Sequence, residues 1–387
     1  MKVLWLASWF PSRVHLLAGD FVERHARAAA LFDSIYVLHV VKDDNLVDKR
    51  VFVEEKRYGP HLTALIIYYP AYRSLGKWVE KVLSAVYYIV LHFKGYSYCK
   101  NRWGKPDGLL VQVGLKAGLM ALLFRYLFGL KYILFERWTG WLEEAVPNYK
   151  TGSAWLTGLW RMVLRRSVHL VTVSDYFGKA INRLHVPKPY TVVPNMIDLE
   201  LFYASEQNHG PLFRFIHIST LTYQKNFEDI LRAFRKVVHS TYAVELVVYG
   251  KPSREQLALT DELGLSAFVR YRGEVLHREI ARALQQSHAL ILYSRFETFG
   301  NVLIEANACG LPVIVSDHPV FAEIVEEGIT GLAVPGDCPD LLAEKMEWLM
   351  RHYHRFDPVR ISERVRERYH PAAIGTLFHD LFRKHFR

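Results

Sequence analysis

The sequence predicts an α/β chain built as two Rossmann-like, doubly wound parallel-sheet domains. Three observations carry that expectation. At 387 residues the chain exceeds what one hydrophobic core usually serves, so two domains are the default. From Phe213 to Ser316 short apolar runs of strand type alternate with segments of helical period, the pattern of a parallel sheet with helices on its faces. The stretch Ala289–Ser316, ALILYSRFETFGNVLIEANACGLPVIVS, reads as one strand–loop–helix–strand unit. Its strands are Ala289–Tyr293 and Val313–Ser316, its loop is Ser294–Gly300, and its helix, Asn301–Cys309, is stopped by Gly310 with Pro312 beyond.

In order along the first half, Lys2–Ala7 forms the opening strand, Ser8–Asp20 a loop, and Phe21–Phe32 a helix with Asp20 and Glu23 in capping-box register. Strands follow at Ile35–Val40, Val51–Arg57 and Leu62–Tyr68, then a long helix from Ser74 to Arg102. Gly108–Val111 (strand), Leu115–Phe128 (helix), Lys131–Phe135 and Val168–Val173 (strands), Tyr176–Leu184 (helix, with Asp175 as cap) and Tyr190–Val193 (strand) complete that half. The polar stretch Ala204–Pro211 marks a linker.

In the second half strands fall at Phe213–Ile218, Ala243–Tyr249, Phe268–Tyr271, Ala289–Tyr293 and Val313–Ser316. Helices fall at Phe227–His239 (capped by Asn226), Ser253–Leu263, His277–Gln285, Val302–Cys309, Val320–Val325 and Pro339–Arg351. The tail Ile361–Arg387 is basic, aromatic and helical, with a break before Pro371. The expected domains are therefore 1–205 and 206–365, with 366–387 as a terminal helix.

The net charge of +10 is unevenly placed: residues 1–205 hold 27 Lys/Arg against 16 Asp/Glu, and the remainder 22 against 23. The first half is thus the one expected to meet something anionic. Within it, Ser74–Arg102 interleaves Trp78, Tyr87, Tyr88, Phe93, Tyr96 and Tyr98 with Lys77, Lys81, Lys94, Lys100 and Arg102. Rings and cations on one amphipathic helix suit an anionic membrane surface. Nucleic acid is not expected as a partner, because no recognition helix or RNA-binding signature accompanies the basic residues. No apolar run reaches spanning length; the longest, Gly108–Phe128, is interrupted by Gln112, Lys116 and Arg125. MKVLWLASWFPS reads as a first strand rather than a signal peptide, and three scattered cysteines (Cys99, Cys309, Cys338) fit a reducing compartment. The expected location is cytoplasmic, peripheral to the inner face of the plasma membrane.

The candidate site centres on Glu297 and Glu305. Glu297 precedes the helix and Glu305 lies about one turn inside it, so both can flank a helix N-terminus, whose free N–H groups and dipole attract an anion. Gly300 permits close backbone approach. Two acids around an anion hole suit a ligand with hydroxyls at both ends and phosphate between them, such as a nucleotide sugar. Gly19, before the first helix, and Lys225, at the mouth of the helix from Phe227, are further phosphate contacts.

Ser294-x-x-Glu297-x-Phe299-Gly300, then Glu305-Ala306-x-Ala308-x-Gly310-x-Pro312-Val313-Ile314, and on through Glu323, Gly328, Thr330-Gly331 and Pro335, strongly resembles the retaining glycosyltransferases of family four, with the GT-B fold. Ser8-Trp9-Phe10-Pro11 with Gly19-Asp20-Phe21-Val22, and Pro194-Asn195-Met196-Ile197-Asp198, resemble that family's first donor-side loop and its interdomain crossing. The resemblance implies two domains facing across a cleft, a tail that crosses back onto the first, and transfer of a hexosyl unit from a UDP- or GDP-sugar. The acceptor would be lipid-linked or a polysaccharide, in cell-envelope or exopolysaccharide synthesis. Glu297 would orient the sugar and stabilise the anomeric centre, Lys225 and the N–H groups of Thr298, Phe299, Gly300, Asn301 and Val302 would meet the leaving phosphate, and Glu305 the ribose. Gly250, Lys251 and Val275 lie in the turns that would hold the base. Two positions depart from the family: Thr220 replaces an arginine, and Arg137 a histidine on the transferred sugar. Arg13, Arg24 or Arg137 are candidates to supply the missing charge from across the cleft. No Asp-x-Asp signature occurs, so neither metal nor cofactor is expected beyond the donor as co-substrate. The rival readings are a nucleotide-sugar epimerase or phosphorylase on the same scaffold, and a non-catalytic nucleotide-sugar-binding subunit.

Overall fold

A computed structural model describes residues 1–15, 19–46, 50–71, 76–114, 116–151, 153–205, 212–240 and 243–387. Most of the linker Ala204–Pro211 and two expected helix starts, Ser74 and Leu115, lie outside the described residues.

Two sheets form the frame. The first contains β1 (Lys2–Ala7), β2 (Ser34–Asp43), β3 (Phe52–Gly59), β4 (Leu62–Pro70), β5 (Gly108–Gln112), β6 (Tyr132–Glu136), β7 (His169–Thr172) and β8 (Tyr190–Val192), in the order β3-β4-β2-β1-β5-β6-β7-β8. Only β3 runs antiparallel to its neighbour. The second contains β9 (Phe213–Ile218), β10 (Val244–Tyr249), β11 (Val269–Gly273), β12 (Ala289–Leu292), β13 (Val313–Ser316) and β14 (Gly331–Val334), all parallel, in the order β11-β10-β9-β12-β13-β14. Central strands such as β4, LTALIIYYP, are buried at every position. That is why they read as continuous apolar runs: helices cover both faces of a parallel sheet.

In each sheet the strand order reverses beside the first strand, between β1 and β5 and between β9 and β12. Loops leaving the carboxyl ends of strands on either side of such a reversal diverge and leave a crevice. The loops after β1 and β9 are Ser8–Gly19 and Ser219–Asn226; the loop after β12 leads through Glu297 into α9 (Asn301–Ala308).

The chain crosses between the sheets after β8 and returns between α11 (Pro358–Tyr369) and α12 (Pro371–Phe386). The two crossings touch, since Ile197 N donates to Tyr369 O at 3.2 Å. Helix α12 packs on α1 (Asp20–Ala29) of the first domain: Phe378 lies 5.4 Å from the Trp5 ring, and a Cβ on Gly375 would stand 2.3 Å from Ala28 O.

Several elements differ from expectation. Helix α4 (Ala154–Arg166) does not stand out in the sequence because only Trp160, Val163 and Leu164 are buried along it and Gly158 interrupts it. Strand β14 was not expected; it is only four residues long. Val320–Val325 makes a 3-10 turn, Phe321–Glu323, in place of a helix. Helix α1 starts at Asp20 with left-handed Gly19 as its cap residue, and the Asp20 carboxylate pairs with Arg24 instead of capping. Asn226 is likewise no side-chain cap: it is left-handed (φ 49°), and its amide donates to Asp229 Oδ2 at 3.0 Å.

Each sheet buries a neutral histidine. His39 Nδ1 meets Ala7 O and His217 Nδ1 meets Ile291 O, at 2.9 and 2.8 Å, and burial pushes both imidazoles down to about 4. A folded-state value below the unfolded 6.5 means that the unfolded chain binds more protons, so stability is lost as pH falls from about 6.5 towards 4. Urea unfolding at pH 7 and pH 4.5 should show a loss of several kcal/mol, roughly 2–3 per histidine, and His39→Phe with His217→Phe should flatten that slope.

Candidate active site

A cleft of about 770 Å³ lies between the two sheets' crevices, within the volume range of ligand sites. The second domain supplies its floor. Gly300 caps α9 in the left-handed region (φ 98°), which an L side chain disfavours, and the start of α9 lines the cleft through Gly300, Asn301 and Val302 beside Thr298 and Phe299. Lys225 ends the 3-10 turn Tyr223–Lys225, and its Nζ donates directly to Glu297 Oε1. Both side chains are largely buried and both line the cleft. Thr220, Gly250 and Val275 also line it, as do Ser219, Tyr249, Gly273 and Glu274.

The first domain supplies an aromatic and guanidinium wall: Trp9 and Phe21 (ring centroids 6.4 Å apart, edge to face), Trp138, Thr139, Arg137 and Asn195. The end of β6 is held by the buried Glu136 carboxylate, which accepts from the N–H groups of Gly114 (3.0 Å), Arg137 (2.9 Å) and Trp138 (3.2 Å) and from the Trp160 indole (2.9 Å). From that anchor Arg137 reaches Asn195 Oδ1 (3.1 Å), Gln112 Oε1 (3.0 Å) and His25 Nδ1 (3.2 Å), lying over the Phe135 and Phe21 rings. His25 Nε2 donates to Pro194 O at 2.9 Å, so its Nδ1 accepts from Arg137. That imidazole is held well below its usual value by burial and then by the Arg137 charge. Burial pushes Arg137 itself down to about 9, leaving it charged at neutral pH.

Hydrogen bonds then join wall to floor. Asn195 Nδ2 donates to Asn301 Oδ1 (2.6 Å), Thr298 Oγ1 to Arg137 O (3.3 Å), and Ser174 Oγ to Thr298 O (2.7 Å).

Three expected residues stand outside the lining. Glu305 is buried, and its carboxylate accepts from Arg24 Nη1 at 3.2 Å; a cation of the opposite domain holds the oxygen expected to face a ribose. Gly19 is left-handed (φ 80°), and a Cβ there would sit 2.5 Å from the Trp9 carbonyl carbon, so it backs the Trp9 loop and is not itself a lining residue. Lys251 is exposed beyond the rim. Arg13 lines a different cavity, and Arg24 is engaged by Asp20 (2.5 Å) as well as Glu305, so of the three arginines considered only Arg137 reaches the cleft. Sequence reasoning gave no contact of their own to Trp9, Phe21, Trp138 and Asn195, although Trp9 and Phe21 stand in the expected donor-side loop and Asn195 in the expected crossing. The signal was available, since Trp9 and Trp138 each follow a strand's carboxyl end.

Residues 204–368 match the family model described as glycosyl transferases group 1. The match takes in the second domain. D-inositol 3-phosphate glycosyltransferase 1 of Catenulispora acidiphila is 28% identical over 235 residues, 56% of this chain and 54% of that protein. N-acetyl-alpha-D-glucosaminyl L-malate synthase of Bacillus anthracis is 31% identical over 175 residues, 43% and 45% of the two. The chain spans about half the length of the curated relatives it matches. Sucrose-phosphate synthase of Thermosynechococcus elongatus has the same fold at a TM-score of 0.78, with 17% identity over 99% of each chain. Anabaena HepE, solved with UDP and glucose, does so at 0.72 and 15% identity, again over 99% of each chain. Both are GT-B structures, and this chain shares their fold of two parallel-sheet domains.

Arg137 tests the wall. Arg137→Met should destabilise the protein by about 3–5 kcal/mol, because His25, Gln112 and Asn195 lose a buried charged donor together; the midpoint of urea unfolding measures it.

Proposed function

We propose that the chain is a retaining glycosyltransferase that moves a hexosyl unit from a UDP- or GDP-sugar to a lipid-linked or polysaccharide acceptor, without metal or cofactor. The observation that carries this reading is the Lys225–Glu297 pair set beside the N-terminus of α9 in an interdomain cleft. An ammonium and a row of N–H groups converge where negative charge grows on a departing diphosphate, so they stabilise the transition state more than the bound donor. Glu297 is close enough to lend its carboxylate to sugar hydroxyls or to the cationic anomeric carbon once phosphate draws Lys225 away. The Trp9, Phe21 and Trp138 faces offer flat apolar surface to the C–H face of a sugar ring on the acceptor side. Attack and departure on one face of the sugar, with no protein nucleophile, are carried over from the family resemblance.

The donor assignment draws support from similar proteins: HepE is solved in complex with UDP and glucose, and the inositol 3-phosphate and malate enzymes are named for glycosyl or glucosaminyl transfer. Membrane association draws on α2 (Lys77–Trp103). Trp78 is 77% exposed, and Val82, Val86 and Val90 continue the stripe at helical spacing beside exposed Lys77, Lys81 and Lys94. Tyr96 turns inward, and Tyr96 and Phe93 pack on Phe124 and Phe128 of α3 (Lys116–Phe128), so those rings serve the fold rather than a bilayer. No described helix is long and apolar enough to cross a membrane.

Two experiments decide. Glu297→Gln should lower transfer from radiolabelled nucleotide sugars by a factor of about 10³ or more while the variant stays folded and still binds nucleotide; equal turnover in the variant refutes the assignment. Flotation with anionic vesicles at low salt should carry the wild type upward and should fail for Trp78→Glu; a wild type that remains at the bottom of the gradient removes the membrane from the proposal.

A further inference from the structure

The loop after β1 serves two cavities. Trp9 lines the cleft, while Arg13, four residues on and so within about 14 Å along the chain, lines a second cavity of about 580 Å³ with Asp43, Asn45, Leu46, Arg50 and Phe52. That cavity opens at the same rim. Asp43 ends β2 opposite Pro70 at the end of β4, and Phe52 pairs with Tyr68 at the adjoining edge.

Arg13 is held ready there. Its Nε donates to Asp43 Oδ2 at 2.9 Å, and its guanidinium lies over the Phe52 and Tyr68 rings at 4.5 and 4.3 Å. Asp43 is used up in this arrangement, since its other oxygen accepts from Asn45 N at 2.9 Å. Tyr68 in turn donates to Glu54 (2.7 Å) and accepts from Arg13 N (3.3 Å), which fixes the lower ring. Among the described residues no hydrogen bond engages either Nη of Arg13, and its side chain is 40% exposed. A guanidinium clamped by rings, with its fork of Nη–H groups unused, loses little freedom on binding an oxyanion. Arg50 adds a second guanidinium to the lining, so among the described lining residues two cations stand against the one acid, Asp43. Two forks provide more donors than the two oxygens of one carboxylate can use, and fit the three free oxygens of a phosphoryl group.

We propose that this cavity binds a phosphoryl group of the acceptor, so that the hydroxyl to be glycosylated reaches past Trp9 into the cleft. The proposal rests on the glycosyltransferase reading for the word acceptor, but the anion site itself does not. An acceptor of this kind is a phosphorylated saccharide or polyol, or a lipid phosphate-linked sugar. The exposed first turns of α2 stand next to the same rim, where Lys42 of β2 pairs with Glu80 at 2.9 Å, which places a membrane-borne phosphate within reach.

The test uses the full chain with UDP at saturation, to occupy the cleft, and inorganic phosphate as probe. Thermal stabilisation should rise with phosphate for the wild type. For Arg13→Gln/Arg50→Gln the midpoint should move by about tenfold or more, or the rise should vanish, while stabilisation by UDP is retained. Arg50→Gln alone, at an exposed position, should show the same direction. Identical phosphate curves in wild type and double variant overturn the proposal. A wild type that UDP fails to stabilise instead defeats the donor reading, and the phosphate comparison still judges this cavity. Flotation separates the sources: a lipid-borne group predicts that the double variant loses its preference for phosphatidic acid over phosphatidylcholine vesicles, and a soluble acceptor predicts unchanged flotation.

Discussion

The loop from Glu297 to Asn301 is held from both sides, and the cleft depends on that. Its own helix fixes one end; the first domain fixes the other through Asn195, the Arg137 carbonyl and the Ser174 hydroxyl. The N–H groups at a helix start have partial positive charge but no preferred partner. What makes them useful is a fixed position relative to the group they meet. Here that position is set by contacts the loop makes with residues more than a hundred positions away in the chain.

The charges are arranged so that few are buried without a partner. Lys225 and Glu297 neutralise each other, as do Arg24 and Glu305, and Arg137 shares its donors among three neutral acceptors. Such pairs contribute little net stability, because desolvation offsets their attraction. Their value is positional: each leaves a charge at a defined point that an incoming anion can engage by exchange rather than by fresh desolvation. Arg137 Nε and Gln112 Nε2, both buried and without a hydrogen-bond partner among the described residues, mark where the wall remains incompletely satisfied.

The sequence made the strands and most helices readable because parallel sheets bury continuous apolar runs, and β4 and β13 are such runs. It did not make α4 readable, since that helix buries few side chains, nor β14, which is too short to set a pattern. In the site, Lys225, Glu297 and the Gly300 turn were legible from local chemistry, being a loop, a cap and a helix start within one unit. The pairing of Glu305 with Arg24 was not legible, because the two lie 281 residues apart and local spacing carries no trace of the contact. The aromatic wall was legible only in part: Trp9 and Trp138 each follow a strand's carboxyl end, but they meet only after the sheet has brought the connections after β1 and β6 to one rim.

The outgoing and returning crossings, joined at Ile197 and Tyr369, also restrict how the two halves can move. Bodies whose covalent links cross at two adjacent points swing most easily about the line through them, as a door does. Tyr369 also touches the Phe299 ring at 5.9 Å, so that line passes close to the floor of the cleft. Displacement in such a swing grows with distance from the pivot. Groups beside the helix start would hold their spacing through the cycle, and the far lips would travel most, admitting and releasing large molecules without disturbing the geometry at the centre.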